Sequence, residues 1–544
     1  MSRWTRRNLL AAILAALPSA GAHAQNSIVI VTGQAAPMPI PTLMEDAQSN
    51  AANFEIADHL FLRLANLGPS LTTAGDRGFL PVLAQSWSRR DSLTLAFNLD
   101  PRARWHDGAP VTSRDVLFTF ARARNPSISP KLATLLKHVT GVTAEDERTV
   151  VVRFSRVYAE QFYDATYHVA LLPAHLLAGL PADSIARSPF VSHPVGNGPY
   201  RWVRSLPGQY IELAANERFF LGRPAIRRLI VRVAKDPDAR LNLVLSGEAD
   251  AMDNVLPPPS NLNRVAARPE LRTVPVPSPA LGYLLYNQRD PRDTTRPHPI
   301  LADPDVRRAL TLGLHRRLMV RAVFGPYAEV PYGPVSSLLW IRHGAPIALA
   351  QDTALASRLL SARGWVDRDG DGIRERAGRP LSLRITVTNT SAIRRQMSLL
   401  AQRQLRQIGV HIDLVVIDAP LWIERRNAGD FDIDFSGSLQ DPSPSGLVQS
   451  WSCKGPSNVA RYCDPAVDSL LDRAILAREN TRGAWHDVLR RIEHGAPAAF
   501  LYATTYVFVV HRRFRDVAIR PQSSWIALWR WSLGGAPAAS PAGY

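Results

Sequence analysis

A chain of 544 residues with 46% hydrophobic side chains is longer than one hydrophobic core sustains, so two or three domains are expected. The formal charge of +17 comes mainly from scattered arginines, with lysine only at Lys131, Lys137, Lys235 and Lys454, and no dense basic cluster marks a nucleic-acid surface. Solvated basic faces account for the charge; attraction to anionic ligands or to a membrane is its other use.

The first element is a leader. Arg3, Arg6 and Arg7 precede the apolar run LLAAILAAL at 9–17, and Ala22-His-Ala24 offers a cleavage site, so residues 1–24 read as a secretory signal cut near Ala24. TRRNLL at 5–10 also approaches the twin-arginine signal, which leaves two export routes open. No cysteine follows the run for lipid attachment, and no later stretch reaches the roughly 18 apolar residues of a membrane span.

Strands and helices then alternate in an α/β pattern. SIVIVT at 27–32 is a continuous apolar strand, as expected when both faces are buried. Alternating strands follow at 94–99 and 149–154. Between them, residues 113–124 place Val116, Leu117, Phe120 and Ala123 at helical spacing behind an N-capping Ser113. PVGNGP at 194–199 needs backbone freedom at both glycines. VPVPSPA at 274–280 is stiff, extended and donor-poor, suited to a crossing between domains. A helix over 397–408 ends at Gly409 and leads into a strand at 411–417. The apolar run FLYATTYVFVV at 500–510 is long enough to return the chain to an earlier sheet.

Residues 365–380, WVDRDGDGIRERAGRP, imitate a calcium loop: Asp367, Asp369 and Asp371 hold its first, third and fifth places and Gly372 its sixth. The twelfth place, which needs a bidentate Glu, is Gly378, and Glu375 stands ninth. The period-two run after Pro380 reads as a strand, so a Gly-rich turn entering a β-hairpin is favoured over a metal site. Cys453 and Cys463 lie ten apart in a chain read as exported, where a disulfide is expected; no second ligand pair stands near them for zinc.

Several segments in order resemble one family. LAQSW at 83–87, ARWHDGAPVTSRDVLF at 103–118, PVGNGPY at 194–200, LAANERF at 213–219, SGEAD at 246–250 and DPDVRRAL at 303–310 are similar to the bacterial extracellular solute-binding proteins of family 5, the peptide- and nickel-binding receptors of ABC importers. In these motifs Trp105 reads as core, Asp107 and Gly108 as a tight turn, and Asp115 as a first-turn helix charge, so His106 and Asp107 are scaffold rather than an acid/base pair. The resemblance implies an α/β, two-lobed periplasmic binding protein fold with an additional inserted domain, three domains in all, closing about a hinge. Lobe I would comprise residues 25–67, 190–279 and 505–544, the inserted domain 68–189, and lobe II 280–504.

Peptide-binding members hold the ligand ammonium with an Asp after a Phe-Asp strand. Here FDIDFSGSLQDPSP spans 431–444. Aligned without gaps from Phe431, Asp441 takes the anchoring place; aligned on the acidic-Pro pair, Ser438 does. Charge pairing favours Asp441, and an ordinary Asp-Pro turn is its competing reading. Trp422, Trp451, Asn458, Tyr286 and Asn287 are further cleft candidates. The resemblance thus implies a monomeric periplasmic receptor, not an enzyme, that takes a peptide or similar small solute to inner-membrane ABC permease subunits, with no cofactor, no metal and no nucleic acid. The rival is an exported hydrolase acting on peptides or cell-wall fragments, which would need a nucleophile and base in the cleft.

Overall fold

In the computed structural model the described residues are 26–33, 40–41, 51–181, 184–342, 349–478 and 480–534. The leader expected at 1–24 and the Pro- and Ala-rich stretch after Gly534 lie outside them. Their backbone is organised by one eleven-stranded mixed sheet. From edge to edge its main path runs His411–Ile417, Ser382–Thr388, Ile433–Leu439, Leu271–Tyr286, Ala498–His511, Ala251–Met252, Ser27–Thr32, Arg228–Val233, Tyr210–Ala215 and Tyr200–Leu206, with Ala328–Glu329 paired beside Ala498–His511.

Ser27–Thr32 is buried at all six residues and lies parallel to Arg228–Val233 on one side and Ala251–Met252 on the other, the placement its unbroken apolar run predicts. Asp250, from the SGEAD motif, ties three distant segments together. Its carboxylate accepts the Val29 N–H at 2.9 Å and the Arg513 guanidinium at 2.7 Å, and its carbonyl accepts the His511 N–H. A buried carboxylate needs such donors and a counter-charge.

The glycines of PVGNGP are required by close approach. A Cβ on Gly196 would overlap the carbonyl oxygen of Leu60, and one on Gly198 that of His59, at the end of helix Ala51–Leu60. His106 completes this packing: its Nδ1 accepts the Gly196 N–H at 3.1 Å, which leaves Nε2 to donate to the Gly198 carbonyl at 3.1 Å. Burial lowers its pKa to about 4, so it is a neutral scaffold clamp.

A separate four-stranded antiparallel sheet, ordered Ala84–Asp91, Thr94–Leu99, Thr149–Phe154, Val139–Ala144, packs against helix Ser113–Ala123. Val116, Phe120 and Ala123 are buried on that helix. The N-cap is Thr112 rather than Ser113: the Asp115 carboxylate accepts the Thr112 N–H at 2.8 Å, whereas the Ser113 hydroxyl donates away to the Asp146 carbonyl.

The Pro-rich crossing at 274–280 is a strand. It belongs to the sixteen residues of Leu271–Tyr286, antiparallel to Ala498–His511, and the two cross the molecule side by side. Pro275 and Pro277 face Val507 and Thr505, and the register slips between Pro277 and Leu281, where donor-less prolines interrupt regular pairing. Beyond the slip, two apolar clusters cover opposite faces of the strand. One is built on Leu284, Leu383, Ile385 and Phe435, the other on Tyr283, Trp451, Trp485 and Phe500.

Helix Ala392–Arg406 begins five residues before the predicted start, because the Ser391 side chain caps it by accepting the Arg394 N–H. The stretch after Trp365 forms the hairpin Glu375–Arg376 with Arg379–Pro380. Asp367, Asp369 and Glu375 present oxygens within 4.8 Å of one another. Each also accepts a backbone N–H: Asp367 from Gly370 and Gly372, Asp369 from Asp371, and Glu375 from Arg368. Among the described residues no helix is long and apolar enough to cross a membrane.

Candidate functional site

Strand Ile433–Leu439 leaves the sheet beside Leu271–Tyr286 and runs into a polar turn, SLQDPSPSG. A cavity of about 480 Å³ opens along this exit, between the strand end and the segment that carries Trp451 and the disulfide. Tyr283, Arg426, Gly437, Ser438, Gln440, Asp441, Ser443 and Trp451 are on its wall. A larger hollow of about 1040 Å³ lies around Arg316, Arg321 and Arg342 and contains none of the sequence candidates.

Three of the seven candidates meet at the cavity: Ser438, Asp441 and Trp451. Trp451 is 4% exposed and packs against Tyr283 and Phe500, with ring centroids 6.0 and 5.5 Å apart. Trp422 stands behind the wall, where its indole N–H donates to Asp434 at 2.7 Å. The remaining three are not brought to the cavity. Tyr286 is buried with its hydroxyl on Thr311. Asn287 spends its amide on the carbonyls of Gly429 and Phe431, and Asn458 spends its own on Ser452 and Tyr462. The cause is local: a buried amide must satisfy its donors, and these do so against nearby backbone.

Cys453 and Cys463 are disulfide-bonded, and Pro456, Ser457 and Val459 of the enclosed loop line the cavity. Asn458 fixes the same loop from within, accepting the Tyr462 N–H at 3.1 Å. The bridge and this amide together make one wall of the cavity stiff.

A second set of contacts joins this turn to segment 68–189. The Ser443 hydroxyl donates to Glu160 at 2.6 Å, and the Thr73 hydroxyl donates to the other oxygen of the same carboxylate. The Trp340 indole N–H donates to Thr73 at 2.9 Å, and Ser445 lies within hydrogen-bond reach of Ser443 at 2.5 Å. Burial raises the Glu160 pKa, and the Ser443, Thr73 and Ser445 hydroxyls oppose that rise. Gln440 braces the turn, accepting the Ser336 N–H and donating to the Pro334 carbonyl, both at 2.6 Å. Its own carbonyl accepts from Gln522 at 2.8 Å. Asp441 faces the same boundary: burial, then Tyr167 and the charges of Asp441 and Glu160, push the Tyr163 phenol well above its usual range.

Tyr283, Arg426, Gln440 and Ser443, which line the cavity, and Glu160, which bonds Ser443, were not among the sequence candidates. Tyr283 had a readable signal, since it lies three residues before Tyr286 on the opposite face of one strand. Glu160, 283 positions from its partner, had none. No histidine or cysteine lines the cavity among the described residues, so its hydroxyls have no imidazole base beside them.

Residues 78–458 match the family model of the bacterial extracellular solute-binding proteins, family 5 Middle. A Brucella ovis protein named for ABC-transporter peptide binding is 28% identical over 400 residues, 71% of each chain. The oligopeptide-binding protein AppA of Bacillus subtilis is 23% identical over 462 residues, 83% of each. The solved structure of that AppA, in complex with a nonapeptide, aligns with a TM-score of 0.76 at 21% identity, covering 93% of this chain and 99% of that one. NikZ from Campylobacter jejuni, in complex with Ni(L-His), aligns over the same shares with a TM-score of 0.77 at 21% identity.

Proposed function

Because the chain belongs to the bacterial extracellular solute-binding proteins of family 5 and shares their two-lobed α/β fold, we propose that it captures a peptide or similar small solute in the Ser438–Asp441 cavity. It then delivers that solute to the inner-membrane permease of an ABC importer. Residues 1–24 direct export, by the general or the twin-arginine route, and the receptor works as a monomer in the periplasm. Lobe I comprises residues 25–67, 190–279 and 505–544, the inserted domain 68–189, and lobe II 280–504.

The observation that carries this reading is the join across the cavity turn. Glu160 and Thr73 of the inserted domain meet Ser443 and Trp340 of lobe II through hydrogen bonds that exist only when the two are apposed. Contacts of this kind let a ligand select the closed state, since closure and capture become one equilibrium. The hinge is the pair of crossing strands at their register slip, where Ser278 and Thr504 share a hydrogen bond of 2.6 Å. Asp441 anchors the ligand ammonium, its charge standing at the boundary the ligand would cross. Ser438, hydrogen-bonded toward Tyr283, is the other anchor, suited to ligands without a free ammonium.

An exported hydrolase finds no support in the family or the relatives. The test is calorimetric titration of the purified protein with peptides released from it by denaturation. Saturable binding with peptides recovered intact supports the receptor, and turnover of those peptides refutes it.

A further inference from the structure

At the end of the crossing strands remote from the cavity, three arginines stand together. Leu271 and Arg272 open one strand and pair with His511 and Val510, which close the other. The chain then turns back over that start through Arg512, Arg513, Phe514 and Arg515. Arg272 Nη2 donates to the Phe514 carbonyl at 2.8 Å, and Arg512 Nε donates to the Leu271 carbonyl at 2.9 Å. Phe514 is buried against Trp531 and pins the turn. Neutral backbone acceptors thus hold two of the guanidiniums in place.

Among the described residues no carboxylate pairs with Arg272, Arg512 or Arg515. Asp250 is taken by Arg513 and by the Val29 N–H, and Asp516 accepts the Ser532 hydroxyl at 2.5 Å. Glu270 is exposed and forms no ion pair among the described residues; only its carbonyl reaches the cluster, accepting the Arg512 N–H at 2.7 Å. The Arg272 Nε–H is enclosed and has no acceptor among the described residues. Burial, then the like charges of Arg512 and Arg515, lower the Arg272 pKa. Guanidiniums gathered in this way repel one another. An anion with several oxygens removes that repulsion and fills their spare donors through charge-assisted hydrogen bonds.

We propose that Arg272, Arg512 and Arg515 form a binding site for a phosphate-class oxyanion, supplied by a phospholipid headgroup or by free phosphate. Arg512 and Arg515 are exposed, so an anion borne on a surface can reach them. Ser438 pairs with Leu281, nine residues along the strand from Arg272, which is about 30 Å of extended chain. An anion held at the arginines therefore leaves the capture cavity free. The site gives part of the excess positive charge of the chain a specific use, and it does not depend on the receptor reading.

The test uses the full exported chain and two probes. Co-sedimentation with phosphatidylcholine vesicles, with and without phosphatidylglycerol, reads headgroup binding. The melting temperature in phosphate, against chloride at equal ionic strength, reads the free ion. Arg512→Gln with Arg515→Gln is expected to weaken partition to the anionic vesicles about tenfold or more. Arg317→Gln with Arg321→Gln removes the same charge from exposed positions on helix Arg316–Phe324 and is expected to change it less than about threefold. If the first pair fails to fold, Arg515→Gln alone, whose side chain makes no hydrogen bond among the described residues, is expected to lose about threefold. Vesicle binding without a phosphate response assigns the headgroup. A phosphate-dependent rise that the 512/515 variant lacks, without vesicle binding, assigns the free ion, and both responses together assign a site open to either source. Neither response in wild type, or equal effects of the 512/515 and 317/321 variants, overturns the site and leaves only general charge.

Discussion

Ser443→Ala removes one hydroxyl from the join between the cavity turn and segment 68–189. Glu160 is buried, and its carboxylate depends on Thr73, Ser443 and Ser445. Among the described residues no arginine or lysine pairs with it, so each hydroxyl carries a large share of its solvation. Loss of one donor to a buried charged acceptor costs about 1–3 kcal/mol. On the proposed closure, in which this bond forms only when ligand is captured, the cost falls on ligand affinity, about five- to 150-fold weaker binding. Calorimetric titration with a retained peptide reads this directly. A double-mutant cycle with Glu160→Gln isolates the pair, and the coupling should be at least about 0.5 kcal/mol. Burial raises the Glu160 pKa above its free value, so the contribution to closure is fully present below the ordinary carboxylate range and is lost as pH rises through the raised value. Glu160→Gln should remove that pH dependence. Equal affinity for Ser443→Ala and wild type would refute the closure argument.

Asp441→Ala should weaken a peptide with a free amine by a few hundredfold or more, about 3–5 kcal/mol, and leave an N-acetylated peptide unaffected; Ser438→Ala with that pattern would move the anchor to Ser438. Reducing Cys453–Cys463, or Cys453→Ser with Cys463→Ser, should cost about 2–3 kcal/mol in denaturant unfolding, and an unchanged midpoint would refute the stiffening role. Burial lowers His59 to about 4 and His168 to about 3, so both are held neutral. The stability this implies is present above about pH 6.5, the unfolded value, and is lost as pH falls through 4 and 3; acid titration of the unfolding free energy checks it. Chelation should leave the melting temperature unchanged, since the 367–378 turn lacks its twelfth ligand; a calcium-dependent rise of several degrees contradicts that.

The sequence carried the local structure wherever one segment decides its own form. The strands at 27–32, 94–99 and 149–154 stand at the predicted residues because their periodicity states how many faces are buried. The Pro-rich stretch is extended and crosses the molecule as its composition suggested, but its pairing with Ala498–His511 comes from tertiary contacts the segment does not state. The site was half legible. Ser438 and Asp441 follow a family pattern near one strand end and Trp451 was chosen by residue type, and all three line the cavity; of the others chosen by type, Tyr286 bonds the Thr311 hydroxyl, and Asn287 and Asn458 serve backbone carbonyls beside them. Glu160 was out of reach, since its meaning comes only from what the fold sets beside it.

The most direct test of capture in this cavity is native mass spectrometry of the protein recovered from its own cells, as wild type and as Ser438→Trp, whose indole would fill the space above Gly437. The account predicts a non-covalent peptide adduct on wild type, released intact on denaturation, and none on a folded Ser438→Trp variant. A folded variant that carries the same adduct, or a wild type that carries none, would contradict it.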